Sequence, residues 1–466
     1  MPKLLLINPV NPVNIFSFLN PKKSKTNGVV FVPPIGLGYI AALTPEEWEV
    51  KLIDEAVALF EYVEADLVGI TATTGQAPRA YEIAKLYRDR NIPVVMGGIH
   101  ASLRTEEASQ YVDSIVTGEA EEIWPEVLKD FKRGLLKPIY AGAQVNLNRN
   151  VLPKRVLFSD KYKIGSIMTS RGCPFSCDFC TVSIFNGSRL RHRPVKDVVE
   201  ELALIPQRFI LFLDDNLIGY SQKDKAHAKE LFAEIVKRRI RKRWACQATI
   251  NSLNDDGVLE LAKKAGCIGF FVGIESVNED VLKRMEKISN LKTGIEEYKE
   301  CIRKVHKYRM VIMGNFVFGY EKDVDEIKRD TYWMKKSNID IINFAILTPY
   351  PGTKVFERLI KKNRKILKNY PSDWGLYDAD HPVSEMDYLS LDDMYKGIHF
   401  RTRIIYSYPA ILTRFMRTLI QTRSILPSLI SLFINVFWSR RKNIARLKIL
   451  RSLMGRQEYQ KVKSPF

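Results

Sequence analysis

Between Arg171 and Cys180 the chain reads RGCPFSCDFC, three cysteines in a CxxxCxxC loop directly after the apolar run Ile164–Met168. No other stretch restricts the chain as much, because one tight loop can turn three such closely spaced sulfurs onto a single soft metal centre. A structural zinc site wants four protein ligands, and no cysteine or Cys–His pair follows nearby to supply the fourth. Three ligands leave one position open. In an iron–sulfur cluster that position is an iron able to take a substrate or cofactor directly. The spacing alone also admits a partial zinc knuckle or buried structural thiols.

With Phe179 just before the last cysteine, the loop is CxxxCxΦC and resembles the signature of the radical S-adenosylmethionine (SAM) superfamily. The resemblance implies a 4Fe–4S cluster on Cys173, Cys177 and Cys180. Its fourth iron would chelate the amino and carboxylate groups of SAM, and reduction would cleave SAM to a 5′-deoxyadenosyl radical.

The rest of the chain has to house that chemistry. At 466 residues it is too long for one ordinary core. The start, MPKLLLINP, has too short an apolar run for a signal peptide and reads as a first strand. The cysteines are therefore expected to stay reduced, in a cytoplasmic protein. Cys246, Cys267 and Cys301 lie in strand and helix patterns and read as small core hydrophobes. From Arg401 to Phe466, ten arginines and four lysines face a single acid, Glu458, so this tail carries +13 of the net +19.

Residues 1–130 alternate short apolar runs with helical patterns, which argues a doubly wound, Rossmann-like α/β domain. Strands are expected at Lys3–Asn8, Val50–Ile53, Leu67–Thr71, Val94–Met96 and Ser114–Val116. Ligand contacts should gather in the loops after them. Those loops hold Thr73 and Thr74, Gly97, Gly98 and His100, and Gly118 and Glu119. Glycines there let backbone approach a large flat ligand, while hydroxyls can bond its periphery. The series PPIGLGYIAAL, TATTGQAPRAYEIAKLYR, GGIHASL and DSIVTGEAEEIW, within residues 28–126, resembles the cobalamin-binding domain found ahead of many radical SAM barrels. That resemblance implies cobalamin contacts at the seven residues just named. There is no DxHxxG to supply a cobalt-ligating histidine, and His100 reads as a polar loop contact rather than a ligand.

Residues 131–160 read as a polar linker. Alternation then resumes over 161–365 at the tempo of a (β/α) barrel. Strands are expected at Ile164–Met168, Phe209–Leu213, Ala245–Ile250, Gly269–Ile274, Val311–Phe318 and Ile342–Leu347. Six repeats resemble the partial (β/α)6 barrel of radical SAM enzymes, whose chemistry sits at the carboxyl ends of the strands. Resemblance then implies SAM contacts beyond the cysteines and Phe179. Asp214 and Asp215 end the second strand, with Asp214 preferred for the SAM ammonium group. Glu275 and Ser276 end the fourth, and Gly314 lies in a motif that backs the adenine. The basic stretch Arg189–Arg193 reads equally as a SAM or substrate contact and as a solvated loop.

Beyond 366 the barrel rhythm stops and a mainly helical region is expected. Trp374–Tyr388, aromatic and acidic, reads as a lid over the substrate side. The uncharged run Ser424–Ser439 is short for a spanning helix. The basic amphipathic tail 401–466 reads equally as peripheral contact with the inner face of a membrane and as a cap on the barrel. No nucleic-acid motif accompanies the charge.

The family resemblance, to hopanoid C-methylases in particular, implies a cobalamin-dependent enzyme that methylates an unactivated carbon of a lipid- or isoprenoid-like molecule, with electrons from a flavodoxin- or ferredoxin-type donor. The related magnesium-protoporphyrin oxidative cyclases imply ring formation or oxidation instead. A non-enzymatic iron–sulfur protein would leave the SAM motifs without a use. A tRNA methylthiotransferase is excluded, because no cysteine precedes Cys173.

Overall fold

The computed structural model describes residues 1–11, 32–148, 151–364 and 366–453. The start of the 28–126 similarity and the end of the basic tail lie outside them. Six short apolar runs form strands β1 Lys3–Asn8, β2 Glu49–Asp54, β3 Leu67–Thr71, β4 Val94–Gly97, β5 Ser114–Thr117 and β6 Ile139–Ala141. All pair in parallel, in the order β2-β1-β3-β4-β5-β6. In β1 the side chains alternate between two cores, Leu4 and Leu6 on one face and Leu5 and Ile7 on the other. A strand buried on both faces is what a doubly wound sheet requires. β6 falls in the stretch read as linker. Of its three residues only Tyr140 is buried, so it carries almost no sequence signal.

The second sheet is also six-stranded and all parallel: β7 Ile164–Ile167, β10 Phe209–Phe212, β11 Arg243–Ala248, β12 Cys267–Glu275, β13 Val311–Phe318 and β14 Ile341–Ile346, in sequence order. Between β7 and β10 a two-residue hairpin, β8 Ser170–Arg171 with β9 Arg191–His192, closes the base of the cysteine loop. Helices Val195–Leu204, Gln222–Lys237, Asp256–Lys264, Tyr298–Lys307 and Val324–Lys336 cover the outside. Cys246, Cys267 and Cys301 are fully buried among apolar side chains.

Trp374–Tyr388 is a strap rather than a lid. Trp374, Tyr377 and Val383 are buried in the core of the first domain, and Trp374 donates from Nε1 to Glu107 at 2.8 Å. Three helices follow, Leu391–Ile405, Tyr408–Thr422 and Ile425–Leu453. The last two pack together, and the last also lies on β14. Pro427 sits in the first turn of the last helix, where a proline breaks nothing. No described helix is long and apolar enough to cross a membrane.

Candidate functional site

The loop Gly172–Cys180 hangs from the end of β7 and is fixed from behind and from the side. Behind it, the buried Asp214 carboxylate accepts from the Thr169 amide at 3.0 Å, the Thr169 hydroxyl at 2.7 Å and the Ser170 hydroxyl at 2.6 Å. Gly172 turns the chain at φ 97°, and a Cβ there would run into the Arg189 carbonyl. At the side, Asp178 binds the Tyr320 hydroxyl and Arg358, the latter at 2.7 Å. Its backbone is tied to Met285 and Val355, each at 3.1 Å. Buried carboxylates with several charge-assisted bonds hold a loop in one shape.

The three thiols are partly exposed and lie within electrostatic reach of one another. Burial pushes the Cys177 thiol up to about 11, against the pull of Lys287. Lys287 acts electrostatically on all three thiols and pairs with Glu275 at 2.8 Å. Burial works to lower its pKa, but Glu275 and the Cys177 and Cys180 thiols outweigh that and raise it. Glu275 sits at φ 61°, where the register between β12 and β13 slips. A bulky residue in the left-handed region costs about 1–3 kcal/mol and persists where its neighbours dictate it. Asp215 lies near Cys173 and Cys180 and accepts from Asn186 at 3.0 Å. Among the described residues no group of His, Cys, Asp or Glu side chains converges closely enough to hold a single metal ion. A cubane is wider than an ion, and three thiolates on one loop beside a buried cation are the donor set it takes.

These placements revise several expectations. Asp214 is spent on the strand end, so Asp215 is the carboxylate that faces the cysteines. Ser276 gives its hydroxyl to Asp330 at 3.0 Å. A Cβ on Gly314 would meet Ile339 at 2.9 Å, so this position faces the packing layer, as alternation along a strand dictates. Phe179 packs edge-on to Tyr320, 6.3 Å between centroids, as part of the clamp around Asp178. Lys287 escaped the sequence reading because LKRMEK looks like any solvated helical face.

On the first domain, the strand order reverses between β1 and β3, and a ligand crevice belongs outside the carboxyl ends there. A cavity of about 320 Å³ lies at that place, lined by Gly36, Gly69, Gly97, Gly98, Gly118 and Glu119. Its opposite wall comes from the barrel, Met168 and Arg171 before the cysteine loop and Phe185 and Asn186 after it. Among the described residues, a Cβ on Gly36 would meet nothing within 4 Å, and one on Gly97 only the Val116 carbonyl at 3.6 Å. Nothing among the described residues requires glycine at those two positions, but a flat ligand laid on the backbone does, so the residues fit a corrin. Gly36→Leu is therefore expected to melt at or slightly above the wild-type temperature, because a side chain suits this helix better than glycine. Retained corrinoid, read from the visible spectrum, should fall at least about tenfold.

Not every expected cobalamin contact lies there. Thr73 and Thr74 line a different cavity, of about 530 Å³, with Gln76, Thr181, Tyr350 and Asp378. His100 is turned into the protein, fully buried and bonded to the Tyr81 hydroxyl at 2.9 Å. Glu119 borders the crevice, but its carboxylate is engaged by Arg171 at 3.2 Å and by Arg191, which also reaches it through a second nitrogen at 3.0 Å. These pairs bridge the two domains. Within the stretch Arg189–Arg193, Arg191 and Arg193 are thus not a solvated loop, because Arg191 serves Glu119 and Arg193 is buried against Glu201 at 2.6 Å.

Comparison with known proteins accords with this geometry. Residues 167–331 match the model of the radical SAM superfamily and residues 26–128 that of the B12 binding domain. The bacteriochlorophyllide d C-12(1)-methyltransferase of Chlorobaculum tepidum is 29% identical over 398 residues, 82% of this chain and 84% of that one. The hopanoid C-2 methylase of Rhodopseudomonas palustris is 26% identical over 354 residues, 72% of this chain and 66% of that one. The radical SAM methyltransferase TsrM of Kitasatospora setae, solved with cobalamin and a 4Fe–4S cluster, shares the fold. Its TM-score is 0.66 at 17% identity, over 86% of this chain and 89% of that one. With the cysteine loop at the mouth of a partial barrel and a glycine-lined crevice facing it, the chain carries a radical SAM superfamily domain with a B12-binding domain ahead of it.

Proposed function

We propose that this protein is a cobalamin-dependent radical SAM methyltransferase acting on an unactivated carbon of a hydrophobic small molecule. The observation that carries the reading is the shared cavity, with the glycine floor of the first domain on one side and the flanks of the cysteine loop on the other. When bound, the cluster with SAM supplies hydrogen-atom abstraction from a carbon beyond the reach of acid–base chemistry, and cobalamin supplies the methyl group.

The chain's own residues do the placing. Cys173, Cys177 and Cys180 would hold the cluster. Around its open side, Lys287 offers a cation, and Asp215 and Glu275 offer carboxylates. That set complements the carboxylate and ammonium ends of an amino acid. Asp178, Tyr320 and Arg358 keep the loop from shifting. Gly36 and Gly97 would leave room for a corrin, and Glu119 with Arg171 and Arg191 ties the domain that would carry it to the barrel. The cavity beside Thr181, the residue after Cys180, is the space for the substrate. Bacteriochlorophyllide and hopanoids, the substrates named for the relatives, are both large and mostly apolar, which supports a substrate of that class. Electrons come from a flavodoxin- or ferredoxin-type donor.

The test is anaerobic reconstitution with cobalamin, SAM and reductant, followed by mass analysis of lipid extracts. Methylation predicts 5′-deoxyadenosine together with a product heavier by one methylene. A product lighter by hydrogen would favour cyclisation, and release of no 5′-deoxyadenosine would remove the enzymatic reading.

A further inference from the structure

The helices Tyr408–Thr422 and Ile425–Leu453 are dressed the wrong way round for a water-facing cap. A surface helix normally turns its apolar stripe to the core and its polar face to solvent. Here the last helix lays Ser428, Ser431, Asn435 and Ser439 against the protein, none more than 3% exposed. Ser431 and Asn435 each donate to the Asp340 carbonyl at 2.8 Å, and Ser439 donates to the Tyr406 carbonyl at 2.9 Å. Its partner does the same, Thr418 donating to the Asp340 carboxylate and Arg414 to Asn435, each at 2.7 Å.

The opposite faces are apolar. Tyr408, Leu412, Met416 and Ile420, spaced four apart on one side of their helix, are 73%, 59%, 46% and 69% exposed. On the last helix Leu426, Leu429 and Phe433 are 42%, 51% and 58% exposed. Both rows point away from the barrel, because the rows opposite them are the ones buried on it. Apolar stripes left outward on two packed helices mark a docking surface.

Charge decides what docks. Residues 401–466 hold fourteen basic side chains and one acid. Two of the arginines are buried inside, Arg401 against Glu321 and Arg414 against Asn435, whereas Arg403, Arg423 and Arg440 are exposed, and the net positive charge favours an anionic partner. A second copy would bring the same positive charge to the contact, and like charges facing each other disfavour it. Residues 454–466 are themselves basic and largely polar, a poor cover for leucine and phenylalanine. A nucleic acid would use the cations but not the aliphatic rows. An anionic lipid surface uses both, its headgroups meeting Arg and Lys and its acyl boundary taking Leu, Ile, Met and Phe.

We infer that these two helices form a peripheral membrane-docking face, which lies in the plane of an anionic leaflet and carries the barrel above it. This does not depend on the reaction proposed above, and the test needs no cofactor. The full chain is floated with vesicles of phosphatidylglycerol and phosphatidylcholine in equal parts. Most of it should rise with them at low salt, little with phosphatidylcholine alone, and binding should fall sharply at about 0.5 M NaCl. The triple variant Leu412→Gln, Ile420→Gln, Phe433→Gln alters only exposed side chains. It should keep the wild-type circular dichroism and melting temperature while binding at least about tenfold more weakly. The inference is overturned if the wild type stays in solution with the anionic vesicles, or if it binds pure phosphatidylcholine equally well. Wild-type binding by the triple variant overturns it too. So does light scattering that shows a dimer which the triple variant turns into a monomer, since the occupant is then a second copy.

Discussion

Cys177→Ala protein, reconstituted anaerobically with iron and sulfide, is expected to lose most of the roughly four irons a cubane holds and to release no 5′-deoxyadenosine from SAM. Two thiolates cannot hold a cluster that three hold with one corner open. Cys177 is also the thiol that interacts with both Lys287 and Glu275, so its loss removes a cluster ligand beside the groups read as gripping SAM. The fold should survive, because the side chain is only partly buried, on a loop pinned by Asp178 and Asp214 and not by sulfur. Unchanged far-UV circular dichroism, with iron content and adenosyl cleavage both gone, is the expected pattern. Cleavage that persists without Cys177 would show that the loop is not the cluster site.

The second large effect is expected at Glu119. Its carboxylate is 3% exposed and serves Arg171 and Arg191 together, side chains only 11% and 19% exposed. Glu119→Ala leaves both guanidinium groups buried without their shared partner, although Arg171 keeps Glu121. Breaking a buried pair from one side costs about 3–5 kcal/mol, far more than the pair is worth against an apolar replacement. Urea denaturation should show that loss. The functional signature should be a split: 5′-deoxyadenosine still forms, because the barrel keeps its cluster, while corrinoid retention and methylated product fall. A variant that loses both activities in step would show that Glu119 supports the barrel alone.

Much of this molecule was legible because the relevant signals are local. The three cysteines lie within eight residues of one another, and β1, β3 and β13 announced themselves to the residue as apolar runs between turn residues. What escaped depends on pairings that no local window contains. Lys287 becomes a site residue only through Glu275 across a strained turn and through sulfurs more than a hundred positions earlier. Asp214 and Asp215 are adjacent in sequence, but one points back to the strand end and the other toward the cysteines. Burial and partners separated them, and neither is written in an Asp-Asp-Asn triplet. The same holds for the last helix, where an uncharged run gave no hint that its serines and not its leucines would turn inward. Hydroxyl and amide groups won the inner face because the Asp340 carbonyl and carboxylate were there to receive them.

The strap has a consequence for synthesis. Trp374, Tyr377 and Val383 complete the hydrophobic layer behind β1, β3 and β4, yet a ribosome delivers them more than two hundred residues after β5. The nascent first domain must therefore wait with an unfilled apolar hollow while the whole barrel is made, a long-range closure of the kind that slows folding and invites aggregation. An isolated fragment ending near residue 130 inherits that hollow permanently, so corrin-binding studies on such a piece would examine a domain that never finished folding.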